Sequence, residues 1–164
     1  YEPYQTSKYP DRRLAIVTCM DTRLIELLPA ALGIKNGDAK IIKNAGGVIT
    51  HPFGSVVRSL LIAIYELGVE EILVIGHTDC GVQHMDAENL LENMRKRGIS
   101  NNAIESLRYC GIDFDRWLEG FDDGCVSVAK SVELLKKHPL IPKDVRIYGF
   151  MMDSISGKLS SVSE

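Results

Sequence analysis

Cys19 stands two residues before Asp21 and four before Arg23, and farther along the chain His77 is followed by Thr78, Asp79, Cys80 and Gly81. Two cysteines and one histidine are donors that Zn²⁺ favours, and three protein ligands leave one coordination position open for chemistry. A water held there becomes acidic and turns into a nucleophile near neutral pH. Two thiolates offset more of the metal's charge than three neutral imidazoles would, so this water is harder to ionise and activity is expected to rise toward alkaline pH. A carboxylate within reach, Asp21, either becomes a fourth metal ligand or accepts a hydrogen bond from the bound hydroxide. The forked guanidinium of Arg23 would keep that carboxylate ionised and turned. A purely structural zinc knuckle needs neither residue. A lone strand-end cysteine or a lone His-x-x-Cys pair is common; their conjunction is not.

The two motifs share a setting. Cys19 follows the apolar run Leu14–Thr18 (LAIVT), and His77 follows Glu71–Ile75 (EILVI) after Gly76. Similar runs occupy Ala39–Lys43 and Val145–Phe150. Near-continuous apolar runs of this length predict strands buried on both faces of a parallel sheet. Helical patterns lie between them over Leu24–Leu32, Gly54–Leu67 and Val126–Lys137, the last stopped by His138-Pro139. Within the second, Val57, Leu60, Leu61, Ile64 and Leu67 recur at three and four residues and mark one helix face. This alternation predicts an α/β fold with a central, mainly parallel sheet flanked by helices. Ligands in such folds collect at the carboxyl ends of strands, where both motifs fall. Their donors converge if the two strands are neighbours.

Around this frame the sequence predicts a polar N-terminal arm (1–13) and a C-terminal edge hairpin turning at Ser156-Gly157. It also predicts a helical insertion over 82–123, with Asn102 and Glu105 as a capping pair. The whole, 1–164, reads as one domain. Cys110 and Cys125 have no ligand-type neighbours and are expected as small buried hydrophobes. His51 and His84 are loop candidates for carrying protons, and His138 is expected to interact with a helix dipole.

The 164 residues are 45% hydrophobic and 25% charged with a net charge of −3, enough to bury a core without disulfides and too acidic for a sequence-independent grip on nucleic acid. The longest apolar stretch, Val56 to Leu67, is interrupted by Arg58, Ser59 and Glu66 and is too short for a bilayer. No secretory apolar segment is present, so a cytoplasmic, membrane-free protein is expected. Tyr1 in place of Met implies that the sequence begins inside a longer chain. Neither glycine fingerprint of dinucleotide or P-loop enzymes follows a strand.

At these residues the chain resembles the β-class carbonic anhydrases. The shared pattern is Cys-x-Asp-x-Arg at Cys19–Arg23, then His-x-x-Cys-Gly at His77–Gly81. It extends to Lys43-Asn44-Ala45-Gly46-Gly47, the helix with Arg58-Ser59, and His138–Pro142, from about Leu14 to Phe150. The short length and Cys-Met-Asp-Thr-Arg-Leu are most similar to the small prokaryotic and archaeal branch. The resemblance implies Zn²⁺ on Cys19, His77 and Cys80, an Asp21–Arg23 catalytic dyad, and reversible hydration of CO₂ to bicarbonate and a proton. It implies a substrate pocket helped by Asn44, Gly46, Gly47 and Gly81, the last giving the backbone room to turn. A homodimer or dimer-based oligomer is implied too, with the site near the interface and the arm clasping the partner. A pocket Gln of the larger members has no counterpart that can be placed here. Bicarbonate-regulated members carry a Trp where this chain has Ile16, so a site with Asp21 off the metal is expected. Relatives of the family hydrolyse carbon disulfide or carbonyl sulfide, linear apolar triatomics like CO₂. They are expected to need a narrow apolar tunnel built by assembly or tail segments, and the absence of a long apolar tail here tilts the reading toward CO₂. A non-catalytic zinc regulator is a third possibility, against which the intact Asp21 and Arg23 argue.

Overall fold

Five strands make the sheet: β1 (Leu14–Cys19), β2 (Ala39–Asn44), β3 (Glu71–His77), β4 (Arg146–Met152) and β5 (Leu159–Ser161). The computed structural model describes residues 1–162. The strand order is β2-β1-β3-β4-β5, parallel except where β5 pairs antiparallel with β4. Six α-helices accompany them among the described residues: α1 (Leu24–Leu32), α2 (Ser55–Tyr65), α3 (Ala87–Lys96), α4 (Asn101–Tyr109), α5 (Phe114–Leu118) and α6 (Gly124–Lys137). Two compact units result. One is residues 1–80 with the chain from 123 onward, and holds the sheet; the other is 81–122.

The topology dictates where a site belongs. From β1 the chain crosses through α1 to β2 on one side, then returns through α2 to β3 on the other side of β1. Right-handed crossovers in opposite directions put α1 and α2 on opposite faces. The carboxyl ends of β1 and β3 therefore flank the point where the winding reverses, the crevice that open α/β sheets use for ligands. The core agrees: Ala15, Val17, Ile72, Val74 and Ile147 of the sheet pack with Val57, Leu60 and Ala63 of α2 and Val128, Val132 and Leu135 of α6. The intervening strand residues Ile16 and Ile75 are buried on the other face, as strand alternation requires.

Burial on both faces is found for β1 and β3 only. β2 lies at the sheet edge and its residues are at most half-buried, with Ile41 exposed while Ile42 packs on the core. β4 alternates, with Ile147 packed into the core and Arg146 and Tyr148 outward. The apolar runs of outer strands thus overstate their burial. The C-terminal hairpin forms as expected: Asp153 N donates to Lys158 O and Gly157 N to Asp153 O. The arm lies against its own chain, with Asn36 Nδ2 donating to Tyr4 O at 2.7 Å and the Asp11 and Arg12 amides donating to Gly37 O and Asp38 O.

In the 81–122 unit, α3, α4 and α5 bury Leu91, Ile104 and Phe114 together. Their caps are Asp86, Ser100 and Asp113. The cap of α4 is thus Ser100, whose hydroxyl accepts from Ala103 N, and not the Asn102–Glu105 pair; a good cap earlier in the chain starts the helix sooner. Cys110 and Cys125 are exposed, one closing α4 and the other in the first turn of α6, where short side chains are left facing solvent. His138 stands at the C-cap of α6, the end where the helix dipole is expected to meet it. It is buried, its Nε2 donates to Pro52 O at 2.8 Å, and its Nδ1 accepts from Leu140 N at 3.2 Å. The two bonds latch the end of α6 to the segment before α2.

Candidate metal centre

β1 and β3 are hydrogen-bonded neighbours, with Thr18 opposite Ile75. The Thr18 hydroxyl adds a buried bond to Ile75 O at 2.9 Å. Cys19 ends one strand, paired with Asn44 of β2, and His77 ends the other, paired with Met152 of β4, while β1 and β3 pair with each other as far as Thr18 and Ile75. Cys80 returns three residues later. A donor atom from each of Cys19, His77 and Cys80 lies within 4.8 Å of the others, and all three residues are buried. This is the one such cluster of three or more His, Cys, Asp or Glu among the described residues.

Two observations test the fit to a metal. Zinc–sulfur bonds of about 2.3 Å at a tetrahedral angle put two sulfurs about 3.8 Å apart, and Cys19 Sγ and Cys80 Sγ are 3.8 Å apart. His77 Nδ1 sits 2.8 Å from the carbonyl of Thr78, which makes it the protonated nitrogen and leaves a lone pair on Nε2. That Nε2 is buried with no hydrogen-bond partner. A buried acceptor without a partner is costly unless something absent from the protein atoms satisfies it. The donor set therefore fits Zn²⁺.

Asp21 and Arg23 come to the rim. Arg23 Nε and Nη2 donate to the two Asp21 oxygens at 3.0 and 2.8 Å, and the Arg23 amide donates to Oδ1 at 2.9 Å. These bonds, opposed by partial burial, hold the Asp21 carboxyl well below the usual carboxylate range, and the same fork raises the Arg23 guanidinium above its ordinary value. Asp21 Oδ2 is 3.9 Å from His77 Nε2. It stands next to the donor set without belonging to the grouped trio.

The expected pocket turn does something more specific. Asn44 spends its amide on the turn itself, donating to Val48 O and accepting from Val48 N. Gly47, at φ +64°, presses on β1: a Cβ there would meet Cys19 N at 2.8 Å and the Thr18 carbonyl carbon at 2.9 Å. Gly46 also has a positive φ. Gly81 does not, and the left-handed residue of its loop is Asp79, at φ +53°. The room to turn is thus taken by Asp79. His51 and His84 are exposed and lie outside the donor cluster, His51 accepting from Phe53 N and His84 facing Asp122 at 3.4 Å.

Three residues of the centre escaped the sequence reading. Asp79 binds Arg23 through its carboxylate at 2.8 Å and its carbonyl at 2.7 Å. Thr78 Oγ1 accepts from Ser154 N at 3.0 Å, and Ser154 Oγ lies 3.5 Å from Arg23 Nη1. The acid between two metal-type residues in His-Thr-Asp-Cys was a usable signal for Asp79; Ser154 is too far along the chain to carry one.

Fold and site together define a doubly wound α/β protein with a buried Cys/His/Cys cluster that could hold a metal ion at its topological switch point. The family model for carbonic anhydrase matches residues 14–159, and the chain belongs to that family. It is 51% identical over 162 residues to YtiB of Bacillus subtilis, whose name assigns it provisionally to the carbonic anhydrases, covering 99% of this chain and 87% of that one. It is 37% identical to a carbon disulfide hydrolase of Saccharolobus solfataricus, over 91% of this chain and 76% of that one. The crystal structure of β-carbonic anhydrase isoform I from Trichomonas vaginalis superposes with a TM-score of 0.89 at 39% identity, covering 96% of this chain and 86% of that one.

Proposed function

We propose that this protein catalyses the reversible hydration of CO₂ to bicarbonate, with Zn²⁺ held by Cys19, His77 and Cys80. The observation that carries the reading is the unpartnered, buried His77 Nε2 facing two sulfurs 3.8 Å apart, with an Arg-clamped carboxylate at the rim. Zinc bound there would supply Lewis-acid activation of a water near neutral pH. The chain's residues supply orientation. Asp21, kept ionised by Arg23, acts only as an acceptor, so a water at the rim that donates to it points its lone pairs elsewhere, toward a linear apolar molecule. Arg23 is the positioning partner of Asp21. The fork on Arg23 supports a resting state with Asp21 off the metal. Asn44, Gly46, Gly47 and Gly81 are candidates to line the pocket, of which Gly47 acts by letting the turn approach Cys19.

One observation favours a second reading: a relative with 37% identity is a carbon disulfide hydrolase. The higher identity to YtiB supports CO₂. We read the chain as one domain of the family, since the family match runs through both units. The exposed Tyr1, Tyr4 and Tyr9 of the arm support a dimer-based assembly. No helix is long and apolar enough to cross a membrane.

Stopped-flow hydration of CO₂ by the zinc-loaded protein, run beside sulfide release from CS₂, tests the reading. Hydration well above the buffer rate, rising toward alkaline pH and lost on chelation, is expected. Sulfide release with hydration no faster than buffer transfers the assignment to the second reading.

A further inference from the structure

Arg23 holds more than Asp21. One edge of its guanidinium makes the fork on Asp21, with Nε and Nη2 at 3.0 and 2.8 Å. The other edge reaches the end of β3. Nη1 donates to Asp79 Oδ2 at 2.8 Å, and Nη2 donates to the Asp79 carbonyl at 2.7 Å. A single planar cation thus spans two carboxylates and a main-chain oxygen. Asp79 has φ +53°, a conformation that L residues adopt rarely and Asp and Asn tolerate best. In it, the carbonyl and the carboxylate of one residue meet the same guanidinium. Behind it, Thr78 Oγ1 accepts from Ser154 N at 3.0 Å and lies 3.1 Å from Ser154 Oγ. The ends of β1, β3 and β4 are thereby joined through side chains.

This arrangement bears on where Asp21 can go. The Arg23 side chain is 39% exposed, so water competes for its bonds. Bound on one edge only, it could swing out on its flexible stem and take Asp21 along or let it go. Asp21 Oδ2, 3.9 Å from His77 Nε2, is the carboxylate oxygen that stands next to the donor set. We propose that Asp79 is a positioning residue that anchors Arg23 to the end of β3 and so keeps the Asp21 carboxylate turned away from the metal position. The inference rests on the metal reading above. The Asp79 side chain is 85% exposed, and exposed ion pairs contribute little to folding. Loss of its carboxylate should therefore spare the fold and be read in the position of Asp21.

Asp79→Gly removes the carboxylate and accepts the positive φ without strain. Asp79→Asn keeps an oxygen acceptor on a residue that also tolerates it. The main-chain bond to Arg23 survives in both, so the effect is graded. Cobalt(II)-loaded proteins report through their visible bands which oxygen completes the coordination. The bands of Asp79→Gly should change from those of the wild type, and a second substitution, Asp21→Ala, should abolish that change because no carboxylate is left to move. The Asn variant should lie near the wild type. With zinc, kcat of Asp79→Gly should fall about 10-fold with KM unchanged, since Asp79 orients Asp21 and does not touch substrate. In the metal-free protein, the Arg23 Nε–H resonance should be sharp in the wild type and broadened by exchange in Asp79→Gly. Cobalt bands and an Arg23 resonance both identical to the wild type would overturn the proposal. A wild type that turns over neither gas would sink the functional reading, while the bands and the resonance still decide the role of Asp79.

Discussion

The donor trio and the ion-pair chain beside it grow from the same two strand ends but are held by different means. Cys19 and His77 end strands that are buried on both faces, and the His77 ring is fixed by a carbonyl one residue away. Both are held in backbone ladders, Cys19 to β2 and His77 to β4. Asp21, Arg23 and Asp79 lie past the strand ends, more exposed, and hold one another by side-chain hydrogen bonds. Water can replace a guanidinium fork; it cannot replace a strand end inside a sheet. The trio is therefore suited to hold an ion in one arrangement. The fringe is suited to adjust what stands next to it.

Breaking the trio should have the largest effect. Cys80→Ala is expected to weaken zinc binding by more than about 100-fold, beyond the usual cost of losing an outer partner, in competition against a chelator. Asp21→Ala should instead keep stoichiometric zinc and lose turnover by about 10²- to 10⁴-fold; loss of zinc along with turnover would erase the distinction between the two regions. Gly47→Ala probes the backbone beneath the trio. A Cβ 2.8 Å from Cys19 N, at φ +64°, should destabilise the protein by about 1–3 kcal/mol in urea unfolding, and an unchanged midpoint would mean that the turn does not brace Cys19. His138→Ala, away from both regions, should cost about 1–3 kcal/mol through the lost bonds to Pro52 and Leu140, with zinc content untouched.

The smallest effect concerns acid. Arg23 depresses the folded-state pKa of Asp21, so this pair contributes stability in full above the unfolded carboxylate value of about 4 and loses it only as pH falls through the lower folded value. The melting temperature of metal-free Asp21→Asn should trail the wild type by a constant margin from alkaline pH down to about pH 5, and the margin should narrow only below about pH 4. Narrowing near neutrality would show that Arg23 does not hold the carboxylate.

The trio was legible in the sequence because strand-forming runs leave little freedom at their ends: a Cys after LAIVT and a His after EILVI are placed once the strands pair. The dyad was legible from residue type and spacing. Asp79 was not, because its role depends on the sign of its φ, which residue type alone leaves open, and Gly81 drew attention as the obvious turn residue. Ser154 reaches Arg23 only through the pairing of β3 with β4. The misplaced burial of β2, Cys110 and Cys125 has one cause: apolar composition marks an element but not whether another element lies beyond it.

The spacing of the two buried sulfurs has a further side. Thiols 3.8 Å apart stand less than 2 Å beyond the length of a sulfur–sulfur bond, about 2.05 Å. A divalent ion shared between them would thus also be a protecting group against oxidation. Chelated protein left in air should lose two titratable thiols that the zinc-loaded form retains, and metal starvation would then reach the protein as damage that returning zinc alone does not repair.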